Sequence, residues 1–124
     1  MGKHKNVVFI LESSPTAHLR FFEGLRMALG FSVSHRPVTL LLVGEGVRIL
    51  LPISPRLLGL PPEIVEVIPL LKELGVHVIA LDSDLDYFFL DRPVPDFVVP
   101  VGKERIAELV SSADIVIPFL RKAE

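Results

Sequence analysis

The stretch "VHVIALDSDLDYFFLDR" (76–92) changes character at one point. Its first six residues, VHVIAL (76–81), form a short apolar run rich in β-branched residues. Asp82, Asp84, Asp86 and Asp91 then follow within ten residues. A run apolar at nearly every position suits a strand buried on both faces, the kind found in parallel sheets covered by helices. The same kind of run recurs at NVVFIL (6–11), VTLLLV (38–43), DFVVPV (96–101) and DIVIPF (114–119). Segments of helical spacing separate these runs, so the predicted fold class is α/β: a three-layer α/β/α domain around a five-stranded, mostly parallel open sheet.

The first helix is predicted to open at Ser14 as N-cap, with Pro15 at its first position, and to run to about Leu29, where Gly30 can end it. GVRILLP (46–52) reads as a short helix or turn, and SPRLLGLPP (54–62) as a proline-punctuated surface loop. Ile64, Ile68, Leu71 and Leu74 give the next helix an apolar face that Gly75 terminates. Pro69 should kink or split it, because proline lacks an amide proton and crowds the preceding turn. LDYFFL (85–90) reads as a short amphipathic helix, and KERIAELVSSA (103–113) as a last one burying Ile106, Leu109 and Val110.

With 124 residues the chain supports a single domain, 1–124, with a real core. Thirteen basic and 15 acidic residues give a net charge of −2 with no basic stripe, which argues against nucleic acid as a partner. The mean hydropathy of +0.54 is high for a small monomer, so apolar surface is expected to be covered in an oligomer. Of each pair of adjacent aromatics, Phe21 with Phe22 and Phe88 with Phe89, one member should face the core and one an interface. No run is long enough to span a membrane, and the five-residue apolar run before Glu12 is short for a signal peptide, so the expected location is cytoplasmic. The absence of cysteine excludes disulfides, thiolate metal sites and a thiol nucleophile on this chain. No glutamine, one asparagine and 11 prolines lean towards a heat-adapted source.

In an open parallel sheet, ligands bind where the carboxyl ends of the strands meet the following loops. Glu12, Ser13, Ser14 and Thr16 follow the first strand, Glu45 the second, and Asp82 and Asp84 the third, and these are the candidate ligand-binding residues. Alternating aspartates could surround a calcium ion, but an EF-hand loop opening at Asp82 would want glycine at 87 and glutamate at 93, where Tyr87 and Pro93 stand. VIALDSDLD (78–86) is also similar to the first motif of haloacid dehalogenase phosphatases, with Asp82 as nucleophile and Asp84 as acid. That family expects threonine or valine in place of Asp86, and further motifs that the remaining residues do not supply. The plain alternative is a solvated loop whose aspartates cap the helix behind them. ESSPTAHLR (12–20) could hold an anion at a helix start, although it lacks the glycine spacing of a phosphate loop, and Ser14 and Thr16 equally serve as caps. No two of His4, His18, His35 and His77 stand at metal-ligand spacing; His18 alone falls near this edge. Neither a metal nor a cofactor is expected.

Three segments in order, VVFILESSPTAHLRFFEGLRMALGF (7–31), VTLLLVGEGVRILLP (38–52) and LVSSADIVIPF (109–119), resemble the DsrE/DsrF family of sulfur-relay proteins over nearly the whole chain. Gly44, Glu45, Gly46 and Val47 look closest to the DsrF/TusC branch. The resemblance implies a flavodoxin-like subunit that forms trimers or hexamers, with itself or with DsrE-family paralogues, and passes persulfide sulfur between proteins. Catalytic members carry their acceptor cysteine just after the third strand, where this chain has LDSDLDY (81–87). The resemblance therefore implies a non-catalytic partner subunit. An enzyme that binds a small molecule or metal through Glu12, Glu45, Asp82 and Asp84 is the alternative.

Overall fold

The computed structural model describes residues 6–12, 26–28, 30, 38–51 and 64–119. The strands are β1 (Val7–Leu11), β2 (Val38–Leu42), β3 (His77–Leu81), β4 (Val98–Val101) and β5 (Ile115–Phe119), and the helices α1 (Ile64–Glu73), α2 (Asp82–Phe89) and α3 (Lys103–Ser112). A 3-10 helix, Gly44–Leu50, follows β2. All five predicted strands are present, each trimmed by one or two residues; Asp96 and Phe97 form a turn ahead of β4. The order across the sheet is β4-β3-β2-β1-β5, and every neighbouring pair is parallel. From β1 to β4 the chain steps in one direction, and α3 then carries it back to lay β5 against β1. Right-handed crossovers place α3 on the opposite face from the helices of the earlier steps.

The core follows from strand alternation. Val7, Phe9 and Leu11 of β1 share a face with Val38, Leu40 and Leu42 of β2 and with Val78 and Ala80 of β3. Val47 and Ile49 from the 3-10 helix, Leu71 from α1, and Leu85 and Phe89 from α2 close over this face. On the other face Val8 and Leu41 are also buried, so both sides of β1 and β2 leave water, as their unbroken apolar runs require. The outer strands β4 and β5 are less covered, and each carries an exposed proline, Pro100 and Pro118. Among the described residues, no helix is long and apolar enough to cross a membrane.

Several helix expectations are corrected. Pro69 does not split α1, which continues through it, and the proline itself is exposed. Gly75, at φ +77°, ends the segment as expected: its amide bonds the Lys72 carbonyl at 3.1 Å and the Val76 amide bonds the Leu71 carbonyl at 3.0 Å. This is a Schellman closure, with Val76 and Leu71 as its apolar pair. Leu74 lies in that turn and is exposed, so it does not continue the apolar face. The helix α2 opens at Asp82, three residues before the predicted start, because aspartates are favourable inside a first turn beside the positive helix end. Ile106, Leu109 and Val110 of α3 are half-buried, and no residue of that helix is fully enclosed. Phe89 is a core residue, whereas Phe88 is half-buried and meets the exposed Tyr87 edge-on at 4.9 Å. Residues 26–28 and 30 are helical, so Gly30 still belongs to the helix it was expected to end. The rest of that helix, Phe21 and Phe22, and the loop 54–62 lie outside the described residues.

Candidate functional site

The carboxyl ends of the strands gather Glu12, Gly44, Glu45, Asp82, Asp84 and Gly102 along one edge of the sheet. β1 is interior, between β2 and β5, as a site at this edge requires. The Glu12 amide donates to the Phe119 carbonyl at 2.9 Å, and the Val43 amide to the Leu11 carbonyl at 3.2 Å, so the ladder is carried just past the strand ends. Gly44 then turns the chain at φ +53°, a conformation most residues avoid.

Asp84 occupies the centre of the edge. Its Oδ2 accepts a hydrogen bond from the Gly44 amide at 2.6 Å, joining the start of α2 to the start of the 3-10 helix across 40 residues of sequence. Free amides at a helix start attract negative charge, and this carboxylate stands within the first turn of one helix while serving the first amide of another. Glu12 lies alongside: a Cβ placed on Gly44 would stand 3.5 Å from Glu12 Cγ. Asp82 turns to the start of α3, where a Cβ on Gly102 would stand 3.9 Å from Asp82 Oδ2 and 3.4 Å from Glu104 Oε2. Glu45 is drawn to Arg48, with Oε1 2.9 Å from Nη1 in a partly exposed pair.

The acidic segment is therefore divided among helix starts. Glu12 and Asp84 meet around Gly44, Asp82 is spent beside Gly102, and Glu45 is paired within its own turn. Among the described residues, no three carboxylates or histidines stand together in a way that could hold a metal ion. The aspartates do not cap α2 from outside, as the plain reading held, because its N-cap is Leu81 and makes no side-chain bond. Ser13, Ser14, Thr16 and His18 lie outside the described residues. Sequence reasoning missed Glu104 and Arg48, and it gave Gly46 no contact. A Cβ on Gly46 would collide with the Leu11 carbonyl, at 2.7 Å from the carbonyl carbon.

If Asp84 links two helix starts, Asp84→Ala should lose about 1 to 2 kcal/mol of stability, as removing a charged partner from a partly buried amide does. Asp84→Asn, which keeps an acceptor, should lose less. Urea unfolding of the three proteins at one concentration measures this, and equal midpoints would mean that the bond contributes nothing.

No family model matches the chain, and no curated protein matches it either. Solved structures do. The crystal structure of the ychN protein from E. coli is similar at a TM-score of 0.75, with 21% sequence identity, over 94% of this chain and 99% of that one. The five-stranded parallel α/β architecture is thus the fold of the ychN protein along nearly the full length of both chains.

Proposed function

We propose that the chain is a non-catalytic, oligomeric subunit of the DsrE/DsrF type, associated with intracellular sulfur relay. The observation that carries this reading is the use made of the segment after β3. Catalytic members of that family hold an acceptor cysteine there; here Asp82, Ser83 and Asp84 fill the place, and Asp84 is bonded to the Gly44 amide at 2.6 Å. With aspartate and serine in place of cysteine, this segment offers no thiolate to accept a persulfide. The likeness in fold to the ychN protein supports the family, and the run Gly44 to Val47 supports the DsrF/TusC branch.

The partner is a second copy, in a trimer or hexamer, or a DsrE-family paralogue. Tyr87 and Leu90 support an assembly, being 74% and 80% exposed at the outer side and end of α2. Large apolar side chains grouped in this way favour contact with another protein. Cytoplasmic location belongs to the same reading.

Two measurements on the purified chain test it. Sedimentation at micromolar concentration should show at least a dimer, and a trimer or hexamer if the partner is a second copy. Incubation with a persulfide donor should leave the mass of the chain unchanged. A monomer that also fails to bind DsrE-family paralogues would remove the assembly, and a stable gain of one sulfur atom would remove the non-catalytic assignment.

A further inference from the structure

At the opposite end of the sheet, on the face that α3 covers, lies a cavity of about 560 Å3. No side chain of α3 is fully buried against the strands beside it. Thr39 and His77 are register partners across β2 and β3, and Ile79 and Val99 across β3 and β4. Alternation turns all four towards one face of the sheet. Arg105 and Leu109 of α3 line it as well, with Asn6 and Phe97 at its border.

The chemistry of this lining is mixed in a particular way. Ile79, Leu109 and the 53% exposed Val99 offer an apolar wall, while Thr39, His77 and Arg105 bring a hydroxyl, an imidazole and a guanidinium. Thr39 is the one buried polar side chain among the described residues, at 7% exposure. Burying a hydroxyl without a partner is unfavourable. The Thr39 hydroxyl makes no hydrogen bond to another described residue, and no enclosed side-chain polar atom among them lacks a partner. Its oxygen accordingly opens onto the cavity. Arg105 meets Glu108 at 3.2 Å, but both side chains are more than half exposed, at 60% and 68%, and such a pair holds the guanidinium weakly. Most of its N–H donors remain for a ligand.

We propose that this cavity binds a small organic carboxylate with an aromatic or branched apolar body. The guanidinium of Arg105 holds the carboxylate, the hydroxyl of Thr39 and the imidazole of His77 supply further hydrogen bonds, and the body lies against Ile79, Val99 and Leu109. Inorganic phosphate would leave the apolar wall wetted, and a neutral hydrocarbon would make no use of the polar groups of Thr39, His77 and Arg105. The volume falls within the roughly 300 to 1,000 Å3 usual for small-molecule sites. The inference is independent of the sulfur-relay reading, since it uses neither the carboxyl edge nor an assembly.

The test titrates the full-length, isotopically labelled chain with phenylacetate and, separately, with its neutral analogue phenylacetamide, following amide chemical shifts. Phenylacetate should bind saturably, with shifts centred on Thr39, His77, Val99 and Leu109, and the amide about 10-fold more weakly or worse. Arg105→Ala, at an exposed position, should weaken phenylacetate by about 10-fold or more, and the nearly isosteric Thr39→Val by about 3-fold. Equal binding of the two compounds, undiminished binding by Arg105→Ala, shifts elsewhere in the chain, or no saturation by about 10 mM would each overturn the proposal.

Discussion

Phe9→Ala should lose about 4 kcal/mol of stability, within the range of roughly 3 to 5 for emptying a buried phenylalanine site. Phe9 is fully enclosed in β1, between β2 and β5, and its ring stacks on Phe119 with centroids 6.4 Å apart and planes 13° from parallel. The vacancy would open on the covered face of the sheet, and β1, held by a strand on each side, cannot shift to fill it. A domain of this size is commonly stable by only about 5 to 15 kcal/mol, so the variant should melt on the order of 10 °C lower. Thermal and urea unfolding at fixed protein concentration measure the effect. A loss below about 1 kcal/mol would mean that Phe9 is not enclosed as described.

Gly46→Ala is expected to cost on the order of 3 kcal/mol, although it adds a single methyl group. The reason is space and not backbone conformation, since Gly46 is not among the residues with positive φ. The new Cβ would press on the Leu11 carbonyl, which already accepts the Val43 amide at 3.2 Å. A flexible side chain could step aside, but a carbonyl fixed in the ladder between β1 and β2 cannot move without loosening that ladder. Gly30→Ala is the control, because nothing lies within 4 Å of a Cβ placed there. Similar melting temperatures for Gly46→Ala and wild type would show that the 3-10 helix can shift away from β1.

Strands were legible because all five runs are apolar at nearly every position, although only β1 and β2 are buried along both faces. Their ends were not, because the last ladder bond depends on a neighbour far away in sequence. For α2 the aspartates were expected to stand before the helix as caps, whereas they form its first turn, from which Asp84 accepts the Gly44 amide. A contact between residues 44 and 84 has no local signature. The carboxyl edge as a meeting place followed from the parallel order of the strands, but what each carboxylate does there followed only from the starts of neighbouring helices. Thr39 carried a faint signal, as the one hydroxyl in VTLLLV (38–43), which is otherwise wholly apolar. Its meaning depended on α3 leaving that face partly open, whereas the apolar spacing of Ile106, Leu109 and Val110 predicted their burial.

Pro100 and Pro118 lie on the two outermost strands, one on each flank of the sheet. A proline in a sheet is tolerated where the donor it lacks would have pointed away from the neighbouring strand. Each open flank is then short of a hydrogen-bond donor, and an incoming strand finds an incomplete template. Sideways growth of the sheet, strand upon strand from chain to chain, is disfavoured at both flanks. Copies of this chain are therefore not expected to join by extending the sheet edge to edge.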